Sequence, residues 1–198
     1  MSIIGVVLSG GASRRMGTDK ALLEIAQQSM LERAVQVLKQ TTVTKVEISR
    51  NGRNKDYISD ILPNKGPLSG IHSVAMRFPY SDLIVLPVDL PLISVSAIQS
   101  LIDTGMTECR NVRFANHNLP LYVHNSARFR QAIDYTLRCT QSFSVERLCE
   151  HFPLTEIAVT EPSQLLNTNT PEQWHSALQL IPHNQVNLIN QGSHESFR

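Results

Sequence analysis

From Ile3 to Leu8 every residue but Gly5 is apolar, and the chain then passes at once into Ser9-Gly10-Gly11-Ala12-Ser13-Arg14-Arg15-Met16-Gly17-Thr18-Asp19-Lys20. A short run with no polar alternation fits a strand covered on both faces, the setting of a parallel sheet, whereas a strand with one wet face alternates. A chain that opens this way is restricted to folds in which helices cover both faces of a sheet. In such open α/β sheets the loops at the carboxyl ends of the strands hold the ligand.

The rest of the chain keeps the alternation. Strand-like runs recur at 43–48 and at Asp82-Leu83-Ile84-Val85-Leu86, the latter ending in Pro87-Val88-Asp89-Leu90-Pro91. Between them Ser29-Met30-Leu31-Glu32 forms a capping box, with Leu31, Ala34, Val35 and Leu38 at helical spacing behind it. Gly66-Pro67-Leu68-Ser69-Gly70 opens a second helix with Ile71, Val74 and Ala75 on one face. A third helix is predicted over 94–103, with Gly105 as its C-cap signal. Short strands at 109–115 and 119–123 flank a turn at Asn116-His117-Asn118, and helices follow near 127–138 and 144–151. A late strand is predicted over 155–159, and Thr170-Pro171-Glu172 starts a last helix with Pro in its first turn. The expected architecture is a single α/β domain over residues 1–181: three layers, an open and mostly parallel sheet with helices on both faces. Residues 182–198, polar and without period, are expected to form a loose tail.

Composition removes several function classes. With 18 Lys+Arg against 17 Asp+Glu the net charge is +1, which leaves no electrostatic footprint for nucleic acid. Three cysteines with no C-x-x-C and no Cys/His ligand spacing argue against a disulfide framework or a structural zinc, and for a reducing compartment. Runs such as 83–88 are far shorter than the ~20 residues of a transmembrane helix, and the N-terminus lacks the basic region of a signal peptide, so a cytoplasmic protein is expected.

Three segments carry the chemistry. In the loop from Leu8 to Lys20, Gly10 and Gly11 let backbone N–H groups approach an anion, and Arg14, Arg15 and Lys20 supply three cations against one Asp. This is phosphate-cradle chemistry, although neither G-x-x-x-x-G-K nor G-x-G-x-x-G is present; the plain alternative is a glycine turn with solvated basic residues. Asp89, between two prolines past a strand, is placed to hold Mg²⁺ against substrate phosphates, or else makes a turn. Asn167 and Asn169 stand just before a helix, whose N-cap is Asn169 or Thr170 with Pro171 in its first turn. Asn51 either reads a base edge or makes an Asn-Gly turn with Gly52. The seven histidines show no ligand spacing and read as surface or core residues; Cys149 and Trp174 read as packing residues.

Taken together these segments resemble the small nucleotidyltransferases, most closely the molybdenum cofactor guanylyltransferases. The family's L-A-G-G-x-S-x-R-M-G-x-D-K is matched from Leu8 to Lys20, its Asn after the second strand by Asn51, its G-P-L-A-G by residues 66–70, its P-x-D-x-P by 87–91 and its N-x-N-T-P-E by 167–172. Leu8-Ser9-Gly10-Gly11 and the Asn-x-Asn pair lean toward guanylyl over cytidylyl transfer. Two positions depart: Pro63 stands where the family has an Asp, with Asp60 three residues earlier, and Ala26-Gln27-Gln28-Ser29 replaces G-K-P. Residues 109–125, where the family holds its acceptor, match poorly. The resemblance implies a Rossmann-like fold of the nucleotide-diphospho-sugar transferase type. It implies Mg²⁺-dependent transfer of GMP from GTP to molybdopterin cofactor. Lys20, Arg15 and Asp89 would be catalytic, and Leu8, Ser9, Gly10, Gly11, Lys20, Asn51 and Asp89 would bind the nucleotide. Asp89 would hold the metal, with Asn167 and Asn169 beside the metal or the acceptor. Cofactor-delivery or molybdoenzyme chaperone proteins are the further partners implied. The alternatives are transfer of a cytidylyl group or to a sugar phosphate, and a regulator that binds nucleotide without turnover.

Overall fold

The computed structural model describes residues 2–10, 19–141 and 143–181. The expected tail at 182–198 lies outside them. Six strands form one sheet in the order β4 (Lys45–Ser49), β1 (Ser2–Leu8), β5 (Ser81–Pro87), β7 (Leu121–Val123), β6 (Asn111–Phe114), β8 (Leu154–Ile157). Only β7 runs against the rest: β1 pairs β4 and β5 in parallel, β6 pairs β8 in parallel, and β7 is antiparallel to both its neighbours. β2 (Glu24–Ile25) and β3 (Gln28–Ser29) form a separate small hairpin.

Alternate residues of β1 go to opposite faces, as the pleat requires. Ile3 and Val7 join α1 (Met30–Lys39) and α3 (Val95–Glu108) in one core, with Trp174 of α6 (Pro171–Leu180) packed against it. Ile4, Val6 and Leu8 join α2 (Pro67–Arg77), α4 (Ala127–Cys139) and α5 (Val145–Cys149) in the other. These two cores make the three layers expected from the alternation. Both capping signals hold: Ser29 with Glu32 closes the start of α1, and Thr170 with Gln173 closes the start of α6. Cys149 is a packing residue, 1% exposed, and burial pushes its thiol up to about 11.

Gly105 does not end its helix. α3 continues to Glu108 and is capped by Cys109 in the left-handed conformation (φ 52°). Gly105 sits inside the helix because the Tyr122 ring of β7 lies where a Cβ would be, its Cγ 2.6 Å from that position. Among the described residues no helix is long and apolar enough to cross a membrane.

Candidate active site

The register of the three parallel strands sets their loops side by side. Leu8 lies opposite both Ser49 and Pro87, so β1, β4 and β5 end level. Past that line the Ser9 N–H donates to the Ser49 carbonyl (3.1 Å) and the Val88 N–H to the Leu8 carbonyl (3.1 Å). A cleft of about 910 Å³ opens over this edge. Its floor is Leu8, Ser9 and Gly10; its walls come from Arg50 and Asn51, from Val88 and Asp89, from the start of α2, and from the β6–β7 turn.

α2 enters the cleft by two glycine-dependent steps. Gly66 precedes the helix at φ 65°, ψ −155°, a conformation essentially closed to side-chain-bearing residues, and Pro67 takes the first helical position. One turn on, a Cβ at Gly70 would lie 2.8 Å from Leu8 Cδ2 and closer still to Ser49 Oγ. The spacing Gly66-Pro67-Leu68-Ser69-Gly70 is therefore a turn residue followed by a close approach of helix to sheet.

Residues far apart in the chain meet at the mouth. Asp19 caps a 3-10 turn, Lys20–Leu22, by accepting from the Ala21 N–H (3.0 Å), which sets Lys20 at its head. The Lys20 ammonium is 3.5 Å from Asp89 Oδ2 and donates to Asn169 Oδ1. Asn169 is held there by its neighbour: buried Thr168 donates its N–H (3.0 Å) and its hydroxyl (3.2 Å) to the Asp89 carbonyl. Thr168 is thus fastened to the Asp89 backbone, while Asn167 and Asn169 on either side of it line the cleft. From behind, Arg33 of α1 donates to the Pro91 carbonyl (3.3 Å), bracing the same turn.

Of the residues singled out from sequence, Leu8, Ser9, Gly10, Lys20, Asn51, Asp89, Asn167 and Asn169 all line the cleft. Gly11 and Arg15 lie outside the described residues. The Ser9 N–H is engaged with Ser49, so within this pair the Gly10 backbone is the part open to a ligand. Asn51 does not spend its side chain on a local turn. Its amide forms a two-way pair with Asp60, Nδ2 donating to Oδ2 (2.7 Å) and Oδ1 accepting from the Asp60 N–H (2.8 Å). Asp60 therefore brings a carboxylate into the cleft three residues before Pro63. Sequence reasoning gave Asp60 no role; its partner lies nine residues away, and no local pattern marks the pair. His117 also reaches the cleft, through the β6–β7 turn.

Charges at the mouth are cross-paired: Lys20 with Asp89 and Arg50 with Asp19. Among the described residues no group of three or more His, Cys, Asp and Glu side chains could enclose a metal. One carboxylate with neighbouring amide oxygens nevertheless suits Mg²⁺, which keeps waters and takes the remaining ligands from substrate phosphates. The placement of the Lys20 ammonium against Asp89 and Asn169 Oδ1 marks those oxygens as a seat for positive charge.

Residues 5–151 match the family model for the MobA-like NTP transferase domain. A Xanthomonas euvesicatoria protein named molybdenum cofactor guanylyltransferase is 36% identical over 174 residues, which cover 86% of this chain and 91% of that one. The Archaeoglobus fulgidus molybdopterin-guanine dinucleotide biosynthesis protein A superposes with a TM-score of 0.73 at 16% identity, over 89% of this chain and 97% of that one. A Mycobacterium tuberculosis protein crystallised in complex with manganese superposes with a TM-score of 0.66 at 18% identity, over 91% of this chain and all of that one.

Proposed function

The chain belongs to the MobA-like NTP transferase family and is a nucleotidyltransferase, and from that premise we propose that it transfers GMP from GTP to the terminal phosphate of the molybdenum–molybdopterin cofactor, releasing pyrophosphate. The observation that carries this reading is the meeting of Lys20, Asp89 and Asn169 at one sheet edge. A cation, a carboxylate and an amide drawn from three distant segments suit a triphosphate and its counter-ion. The catalytic unit is residues 1–181, working in the cytoplasm.

The acceptor is a phosphate monoester with a second pKa near ~6, so it is already dianionic at neutral pH and needs no general base. The protein's task is to align the acceptor with the α-phosphorus and to offset charge as pyrophosphate departs. The Gly10 N–H, Lys20 and Arg15 grip the phosphates. Asp89 would hold Mg²⁺, with Asn167 and Asn169 nearby at the metal or the acceptor phosphate. Bound Mg²⁺ would supply charge neutralisation at the phosphate oxygens. The Asn51–Asp60 pair, with the backbone at Leu8, offers a donor and acceptor set to the guanine edge. The natural acceptor would be delivered by a cofactor carrier or molybdoenzyme chaperone.

The test is pyrophosphate release with GTP, Mg²⁺ and molybdenum–molybdopterin. Release with GTP and this acceptor is the expected result. Release only with CTP or with a sugar phosphate would assign a different transferase, and GTP binding with no release would assign a regulator.

A further inference from the structure

Arg50 stands at the carboxyl end of β4, between Ser49, which closes the sheet edge against Ser9, and Asn51, which is paired with Asp60. Its backbone is fixed as well, its N–H donating to the Ile58 carbonyl (3.1 Å). The side chain lines the cleft and is only 21% exposed. One terminal nitrogen, Nη2, is bonded to Asp19 Oδ2, while the other oxygen of Asp19 caps the turn that carries Lys20. The second terminal nitrogen, Nη1, is buried and has no hydrogen-bond partner among the described residues. A buried guanidinium donor left unmet is costly, and such groups in a native structure call for an explanation.

We propose that Arg50 is a nucleotide-binding residue: with Nη2 it fixes the Lys20 turn through Asp19, and with Nη1 it donates to an anionic oxygen of the bound nucleotide's phosphate chain. Three observations carry it. The buried donor has no hydrogen-bond partner among the described residues. The residue that carries it lines the cleft. The same guanidinium reaches Asp19, which caps the turn that carries Lys20. Guanidinium forks favour anionic oxygens, and planar geometry lets one nitrogen hold a carboxylate while its neighbour serves a phosphate. Arg50 thereby joins the segment that meets the base to the segment that meets the phosphates. The inference rests on the nucleotide reading of the cleft and adds to it a phosphate ligand supplied by the second parallel loop.

The experiment is calorimetric titration of the wild type, Arg50→Gln and Arg50→Lys with GTP, GMP and guanosine. A double variant, Asp19→Asn with Arg50→Gln, removes the charge left on Asp19 and keeps an oxygen to cap the Ala21 N–H. Affinity for GTP and GMP is expected to fall roughly tenfold to a hundredfold in Arg50→Gln and in the double variant, the scale of a charge-assisted hydrogen bond. Guanosine affinity stays unchanged, and Arg50→Lys recovers part of the loss. Equal loss for guanosine and GTP would make Arg50 a purely structural residue and overturn the proposal, as would unchanged binding of all three. Failure of the wild type to bind any of the three would overturn the nucleotide reading itself, an outcome distinct from either.

Discussion

Lys20 and Asp89 lie 3.5 Å apart with side chains 16% and 21% exposed. As a pair they add little to stability, since ion pairs at such edges contribute at most ~1 kcal/mol. Under the proposed function their place in the cleft serves the ligand instead: Lys20 would meet a phosphate and Asp89 would hold the metal. Lys20→Ala and Asp89→Ala are each expected to lower kcat for pyrophosphate release by roughly a hundredfold or more, the cost of losing one well-placed group against developing charge. Circular dichroism and the urea midpoint of both variants should stay close to wild type. Near-normal Mg²⁺-dependent activity in Asp89→Ala would reject that residue as the metal's carboxylate. Lys20 and Asp89 were legible in the sequence because each lies in a short loop after an apolar run, a local signal. Asp60 and Arg50 were not, because each owes its place to a side-chain partner 9 or 31 residues away. Such pairs exist only once β1, β4 and α2 are assembled.

The elements themselves were read well where burial is periodic. β1, β5, α1 and α2 follow the apolar pattern, and the parallel sheet follows from their order. The misreadings have specific causes. Gly105 carries a helix-stop signal locally, and the Tyr122 ring overrides it by requiring a position without a side chain. The β2–β3 hairpin went unseen because its turn uses Ala26 (φ 51°) and Gln27 (φ 63°), residues that do not advertise positive φ. At the α2–α4 contact, His72 is 1% exposed and 3.0 Å from Asp134, which also binds Arg138. Burial lowers the His72 pKa below its usual 6.5, outweighing the opposing hydrogen bond from Asp134. The unfolded chain therefore takes up a proton more readily than the folded one. The stability tied to neutral His72 is full above ~6.5 and is lost as pH falls through the lowered folded value. Urea midpoints should drop between pH ~7.5 and ~5.5, and His72→Gln should flatten that dependence. A midpoint that rises on acidification would show that Asp134 wins over burial.

At the scale of the molecule the cleft is assembled from segments running from Leu8 to Asn169, so a ligand there ties together most of the fold. GTP with Mg²⁺ should therefore raise the midpoint of one cooperative thermal transition. Ligand at ~100 times its Kd adds about 2.7 kcal/mol. For a domain of this size that corresponds to a shift of roughly 5–10 °C. A panel of GTP, CTP, ATP and UTP is expected to favour GTP; preference for CTP or UTP would reject guanine while sparing the fold. The net charge of +1 is no obstacle, because the charge that matters is local. The fastening of Thr168 onto the Asp89 carbonyl also sets a schedule. The last strand of the sheet ends at Ile157, and the residue that engages Lys20 comes twelve positions later. In the order of synthesis, all six strands are thus complete before the residues that close the mouth of the cleft have been added.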